Sequence, residues 1–477
     1  CDHAFKKEDP SEYHYAECGY YYGGDFGDWP NDSNFCVDGL ISPERKVRSG
    51  LIELAHVMRP VRVELVSMNK AQLTIAFHNM TSFTNLDEFF ISYEIASGDV
   101  ICVSNLIEVA CEPGESVTRT IPIPALSGEV LCNFQVRWKK TRQWLRDGEI
   151  VCKDQIIIHN ELDETMNLGT LYPPKIEAAE EKCGKISAGQ NEIMINPEGI
   201  KSWISEGYQL IRKGMSFNFW RAPTDNDRRN AMVAWKALDL YHLKTRCRQY
   251  KLNDQMICFQ NSISAIGYPA IVNAEMIWTP RSDGGIGLQV IWKSLKDDMP
   301  YLPRVGIRFE MQGEYDMVEW YGRGPGENYR DKKTAAPVGV YRKEVRKVSE
   351  DYIRPQENGN HEETRMIAIF NRAGKGMLIK ADKQVFSFGV HRYTQENLTF
   401  AKHIEDITPE NLTEVCIDAA MGPLGSNSAG PEPIERERIY LKEPLELSCI
   451  FYPYDEQNMT FSQALQVLCG MKSAQMK

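Results

Sequence analysis

Nowhere does the chain approach the run of about eighteen consecutive apolar residues that a membrane helix needs. No membrane span and no membrane partner are expected. Long runs of lysine or arginine are missing as well. The short cluster RDKK, Arg330 to Lys333, reads as a solvated face, and a net charge of -11 works against a nucleic-acid surface. The 13 cysteines form no CxxC pair and their number is odd, which argues against a zinc site and against a complete disulfide framework. Reduced, mostly buried thiols in a cytoplasm are the simplest account. There are no fixed-period repeats and no low-complexity tracts. The opening CDHAFKKEDP lacks the apolar core of a secretory leader, and it does not start with Met, so a fragment is expected.

What is present is enough chain for several cores, since 477 residues suggest two to four domains. Residues 1–58 hold too little apolar area to stand alone. They contain one expected helix, Pro43 to Met58, in which Val47, Leu51, Leu54, Ala55 and Met58 recur at helical spacing before Pro60 ends it. Residues 59–160 change texture. Short alternating runs such as VRVELV, QLTIAFHN, FFISYEIAS and LCNFQVRW, separated by SGD and EPGES turns, predict a sandwich of six or seven strands of immunoglobulin-like type. Residues 161–182 are polar, carry the pair Pro173-Pro174 and read as a linker. Residues 183–477 alternate short strands with Gly-rich turns and predict a large β-sandwich, with helical pattern only near Ala231 to Leu243 and at the tail.

The densest stretch runs from Tyr22 to Leu40, YGGDFGDWPNDSNFCVDGL. Four glycines, four aspartates, two asparagines and four aromatics share it with one proline. Such a mixture forms neither a regular helix nor a buried strand. A tight loop fixes its carboxylates and amides in place, and stiff acidic and aromatic loops are common binding surfaces.

Four other stretches stand out: FNFWRAPTDND (Phe217 to Asp227), WYGRGPGENYRD (Trp320 to Asp331), PQENGNHEETR (Pro355 to Arg365) and MGPLGSNSAGPEP (Met421 to Pro433). Arg221 with Asp225, Asn226 and Asp227 suggests a rigid turn on a charge network, and Trp220 reads as core. The glycines around Pro325 are followed by no helical pattern, so they are not a phosphate cradle. His361-Glu362 is not a zincin pair, because Arg365 stands where a second His would be needed. Glu327 and Glu357 read as structural carboxylates, the latter ion-paired, and His391 and His403 as satisfied histidines.

Together, and in this order, the loop and these four stretches resemble the C-terminal half of the β-galactosidases of glycoside hydrolase family 2. The resemblance implies a mainly β fold: residues 1–58 as the remnant of a TIM barrel, 59–160 as an immunoglobulin-like sandwich, and 183–477 as a supersandwich of galactose-mutarotase type. It implies hydrolysis of terminal β-D-galactose from β-galactosides such as lactose, by a retaining mechanism that needs two carboxyl groups about 5–5.5 Å apart. In the family both are barrel glutamates that precede the loop, so this chain is expected to hold no catalytic residue and to be inactive by itself. Phe35, through its carbonyl, and Asp38, through its side chain, match the family's Na+ site, although Asn is the familiar residue at position 38. Asp28 and Asp32 fall with them on the galactose side. Mg2+ ligands lie in the missing half. The implied partners are a β-galactoside, that missing half or a large subunit, and further copies in an oligomeric parent. The segment Asn427, Ser428, Ala429 carries no Trp, which removes a stacking platform that some members place there. Two alternatives stay open. One is a non-catalytic carbohydrate-binding or structural module. The other is a mutarotase-like isomerase using His391, or His361, with Glu357.

Overall fold

The computed structural model describes residues 5–6, 19–126, 128–140, 148–159, 174–425 and 431–470. The chain is mainly β and divides into two compact units. One comprises Cys1–Ser49, Gly169–Ala336 and Tyr341–Gln457, and the other Gly50–Leu168, Pro337–Val340 and Asn458–Lys477. No helix among the described residues is long and apolar enough to cross a membrane. Cys111, Cys132, Cys183, Cys258, Cys416 and Cys449 are free thiols, all of them buried.

The second unit is a two-sheet sandwich. Strands Val61–Met68, Gln72–Asn79 and Ser116–Pro122 form one antiparallel sheet, and Val100–Ile107, Phe89–Ser97, Glu129–Trp138 and Ile150–His159 form the other in that order. The alternation read from VRVELV is realised: Val61 and Val63 are buried while Arg62 and Glu64 face out. Leu73, Ile75 and Phe77 enter the core, where Phe77 meets Phe134 edge-on at 5.9 Å. Asp154 fixes the start of the first strand by accepting from the Val63 N–H at 2.9 Å and from Arg59 Nε at 3.0 Å.

The expected helix over Pro43 to Met58 is shorter, covering Ser49–Val57. Local hydrogen bonding explains the difference. The Ser42 hydroxyl accepts from the Lys46 N–H at 3.1 Å, Arg45 adopts φ 63°, and Ile41 bridges Val47, so Pro43 to Lys46 form a tight turn instead of a first helical turn.

The first unit holds three larger sheets. Five strands, Lys175–Ala178, Gly184–Ala188, Asn191–Asn196, Gly199–Ser205 and Tyr208–Gln209, form a meander in sequence order. The expected linker is therefore corrected at its end, because Ile176 pairs with Ile186 and draws Lys175–Ala178 into this sheet. Residues 160–173 of that linker lie outside the described residues. A second sheet runs Ile211–Asn218, Arg304–Gln312, Leu412–Met421, Phe386–His391, His361–Thr364. A nine-stranded sheet has Ile286–Ser294 paired with Leu445–Asp455 at its middle. Trp203, Trp278, Trp292 and Trp320 are wholly buried in the common core.

Helices are few, and two of them were not legible. Thr224 and Asp227 close a reciprocal capping box on Asp225–Arg229, so the expected turn is a short helix. Thr394 caps Gln395–Phe400 by a one-way bond, accepting from the Asn397 N–H.

Candidate functional site

The acidic loop is folded on itself by its own polar groups. Gly23 donates to the Ser33 carbonyl at 3.1 Å, and a Cβ at Gly23 would sit 3.0 Å from the Ser33 backbone, so any larger residue needs that backbone to shift. Asn31 accepts from the Ser33 N–H and donates to the Asp28 carbonyl. The Asp28 carboxylate turns back and accepts from the Gly24 N–H at 2.9 Å. Asp25 accepts from the Tyr22 N–H and faces His403 Nε2, both at 2.8 Å, while the His403 ring stacks on Tyr22. His403 is thus satisfied, as its context suggested.

The following turn, Ser33–Val37, delivers Asp32, Phe35 and Asp38 to a cleft of about 400 Å³. Its opposite wall comes from Thr224 to Arg229, from Tyr352 to Glu357, and from Leu424 and Gly425. Long-range polar contacts join the walls. Asn34 donates to Asp225 Oδ2 at 2.7 Å and accepts from Arg354 Nη1 at 2.8 Å. Asp225 also takes Arg228 Nη1 at 3.0 Å. Asp331 accepts from the Leu424 and Gly425 N–H groups and steadies the far rim.

Electrostatically the cleft is mixed. The Asp38 carboxyl is pushed above its ordinary range by burial and then by Asp225, against the opposing pull of Arg48 and Arg229. Among the described residues the Phe35 carbonyl receives one long backbone bond, 3.4 Å from the Asp38 N–H. Asp32 makes no side-chain capping bond to its turn. Two hard oxygen donors, a carbonyl and a carboxylate, fit the chemistry of a small oxygen-seeking cation, with Asp225 favouring it and Arg48 and Arg229 opposing it.

Two buried carboxylates, Glu327 and the cleft-lining Glu357, serve the fold itself. Glu327 is buried and accepts from Lys332 at 2.7 Å, Tyr352 Oη at 2.6 Å, Ser49 Oγ at 3.0 Å and the Gly359 N–H at 2.9 Å. Burial pushes its carboxyl up, but Lys332 and these donors prevail and hold it below its usual range. Glu357 is also buried, with Arg304 Nη1 no nearer than 3.9 Å. Burial raises it to about 7 in spite of Arg304 and Arg221. The ion pair expected for Glu357 is therefore a long one, since Arg304 is committed to Asp418 through two bonds of 3.1 and 2.5 Å.

His361 and His391 do not converge with Glu357 on an open surface. The His361 ring has no exposure and lies stacked on Phe388 at 5.0 Å, and His391 is buried against Tyr393. Burial drives both to about 3, so both are neutral at ordinary pH. Trp220 is core, packed edge-on against Trp235. Asn427, Ser428 and Ala429 lie outside the described residues.

Sequence reasoning did not find Arg48, Arg228, Arg229 and Arg354 as cleft residues. Arg354 and Asn34 stand 320 positions apart, and no local pattern marks such a contact. The pair Arg228-Arg229 directly after TDND was a usable signal, two adjacent guanidinium groups following a polar turn.

Comparison with known proteins agrees with this architecture. The family model described as beta galactosidase small chain matches residues 192–451, more than half of the chain. Beta-galactosidase domain 4 matches residues 75–159, and the glycosyl hydrolases family 2 TIM barrel domain matches residues 1–63. A beta-galactosidase of Actinobacillus pleuropneumoniae is 32% identical over 432 residues, covering 88% of this chain and 42% of its own length. That of Staphylococcus xylosus is 26% identical with the same coverages, and that of Kluyveromyces lactis 26% identical over 88% of this chain and 40% of its own. The chain thus spans about two fifths of the length of these relatives. A galactose 1-epimerase structure from Lactobacillus acidophilus NCFM covers 59% of this chain and 97% of its own at 8% identity and a TM-score of 0.33. The chain belongs to the β-galactosidase small chain family, with a family 2 barrel segment ahead of it in the sequence.

Proposed function

We propose that this chain is the C-terminal portion of a β-galactosidase that releases terminal β-D-galactose from β-galactosides such as lactose with retention. Two glutamates outside these residues act as nucleophile and as acid then base. The chain contributes one wall of the site and is inactive by itself. Asp32, Phe35 and Asp38 form the sugar-facing rim, and Asp28 shapes it from behind. The Phe35 carbonyl and the Asp38 carboxylate would hold Na+, which supplies a hard centre for a substrate hydroxyl. Mg2+ would bind residues outside the chain. The sandwich of residues 59–160 is an immunoglobulin-like spacer, and the complete enzyme works as a cytoplasmic homo-oligomer.

One observation carries this reading. In the segment that matches the barrel model, Trp29 is 89% exposed, Phe26 64% and Phe35 53%, and Leu40, Ile41 and Val47 are exposed as well. Apolar side chains clustered at the surface mark a face that another polypeptide covers. The missing barrel strands are the natural cover. The mutarotase alternative needs an accessible histidine, and its two candidates are enclosed, His361 at 0% and His391 at 8% exposure.

The test is complementation. The chain is mixed with a polypeptide carrying the glutamate-bearing part of a family 2 barrel, and hydrolysis of nitrophenyl β-galactoside is followed. Cleavage is expected in the mixture and not from either piece. Turnover by the purified chain alone would refute the assignment.

A further inference from the structure

The turn that carries Phe35 and Asp38 is held by residues far outside the barrel segment. Asn34 is 6% exposed, whereas the ring of its neighbour Phe35 is half exposed and gives the turn little anchorage. The Asn34 amide is engaged at both ends. Its Nδ2 donates to Asp225 Oδ2 at 2.7 Å, and its Oδ1 accepts from Arg354 Nη1 at 2.8 Å. Arg354 itself stands 3.3 Å from Asp225 Oδ1, so the three side chains close a ring. This place asks for a donor and an acceptor in one short side chain, which an amide supplies. An aspartate would set a like charge against Asp225, and a leucine would leave both charged partners short of a bond. Further along the turn, Val37 is buried with Tyr20, Tyr22 and Ile353, and its carbonyl accepts from Arg48 Nη1 at 2.8 Å. Phe35 therefore lies between two fixed points, and Asp38 directly follows the second.

We infer that Asn34 is a positioning residue: through Asp225 and Arg354 it sets where the Phe35 carbonyl and the Asp38 carboxylate stand, and thereby how tightly the cleft holds its cation. This rests on the reading of Phe35 and Asp38 as cation ligands. Ligand oxygens must lie within about 0.2 Å of their places around an ion. The two ligands share one short turn, joined by the 3.4 Å bond from the Asp38 N–H to the Phe35 carbonyl, so a shift of the turn displaces both. The Asn34 amide is spent on Asp225 and Arg354, so it acts through its neighbours and not on the ion. Its loss loosens the turn and leaves the ligand atoms in the chain. Cation affinity falls, and the rate at saturating Na+ survives. Partners that orient a ligand change ion affinity by about tenfold to a hundredfold.

The test uses the full chain mixed with a polypeptide carrying the glutamate-bearing part of a family 2 barrel. Sodium binding is read from broadening of the sodium magnetic resonance, and hydrolysis of nitrophenyl β-galactoside is followed against NaCl, with choline chloride holding the ionic strength. Asn34→Ala is expected to raise the half-saturating Na+ at least about tenfold in both, with kcat at saturating Na+ within about twofold of the parent. Asn34→Ser is the milder second variant and should shift both in the same direction. Asp225→Ala should do likewise, and the double variant should lose less than the product of the two separate factors, because one contact is removed twice. Urea midpoints of the variants check that the fold is kept. A half-saturating Na+ unchanged in Asn34→Ala, a loss of kcat that saturating Na+ does not restore, or strictly multiplicative factors would overturn the inference. The two levels fail differently. If the parent binds Na+ and Asn34→Ala binds it equally, the positioning role falls and the cation reading stands. If the parent mixture leaves the sodium resonance sharp, the cation reading falls and the positioning role with it. If Asn34 controls sodium broadening but the mixture cleaves nothing, the β-galactosidase reading falls and the positioning role stands.

Discussion

Arg221 and Asp227 close a two-pronged ion pair, Nε to Oδ2 at 2.9 Å and Nη2 to Oδ1 at 2.8 Å, with both side chains almost wholly buried. The same guanidinium donates to the carbonyls of Gly422 at 3.0 Å and Pro423 at 2.8 Å. One side chain thus ties the Thr224–Asp227 capping box to the loop that carries Leu424 and Gly425, and so sets the width of the cleft.

Arg221→Met keeps the volume and removes the charge. It leaves the buried Asp227 carboxylate with the Thr224 N–H as its donor and no cation, and takes the Arg221 donors from two carbonyls. A loss of about 3–5 kcal/mol is expected in urea unfolding of the chain. Adding Asp227→Asn should recover part of it, because the two substitutions remove one shared interaction. Strict additivity of the two losses would contradict this account.

The buried histidines make the fold acid-sensitive. His361 and His391 titrate near 3 in the folded chain and near 6.5 when unfolded, so the unfolded state binds more protons between these values. Their contribution to stability is complete above pH 6.5 and is lost as pH falls toward 3. Each costs roughly 1.4 kcal/mol per pH unit in that window. Urea midpoints at pH 7 and pH 5 should show the drop, and His361→Gln should flatten it. A wild-type midpoint that stays constant over this range would exclude the burial argument.

Glu357 acts with the opposite sign. Its folded value of about 7 lies above the unfolded 4.5, so the folded state prefers the protonated form. Stability from this group is present below pH 4.5 and is lost as pH rises through 7. Glu357→Gln should therefore gain stability over the parent at pH 8, by on the order of 3 kcal/mol, and differ little at pH 4.5. A variant weaker than the parent at pH 8 would mean that the long approach of Arg304 outweighs desolvation.

The strands were the most legible part of this chain, and the site the least. Alternation in VRVELV or QLTIAFHN reports directly which face is buried, because the pleat has period two and one face of each sheet meets the core. The helix over Pro43 to Met58 was overextended, since apolar spacing does not register a serine hydroxyl that captures a backbone N–H. The linker was overextended because Lys175–Ala178 takes its place in the sheet from its partner strand. Within the site, Asp32, Phe35 and Asp38 were legible through their motif and do line one cleft, whereas Asp28 turns inward. The basic half was hidden, as Arg48, Arg229 and Arg354 come from three distant stretches that only the folded chain brings together.

Trp29 is the one exposed tryptophan among those described; Trp203, Trp235, Trp278, Trp292 and Trp320 are wholly enclosed. The chain consequently carries its own optical probe on the uncovered loop. Its indole emits from water at long wavelength, and docking of any polypeptide over that loop moves the emission to shorter wavelength without a dye.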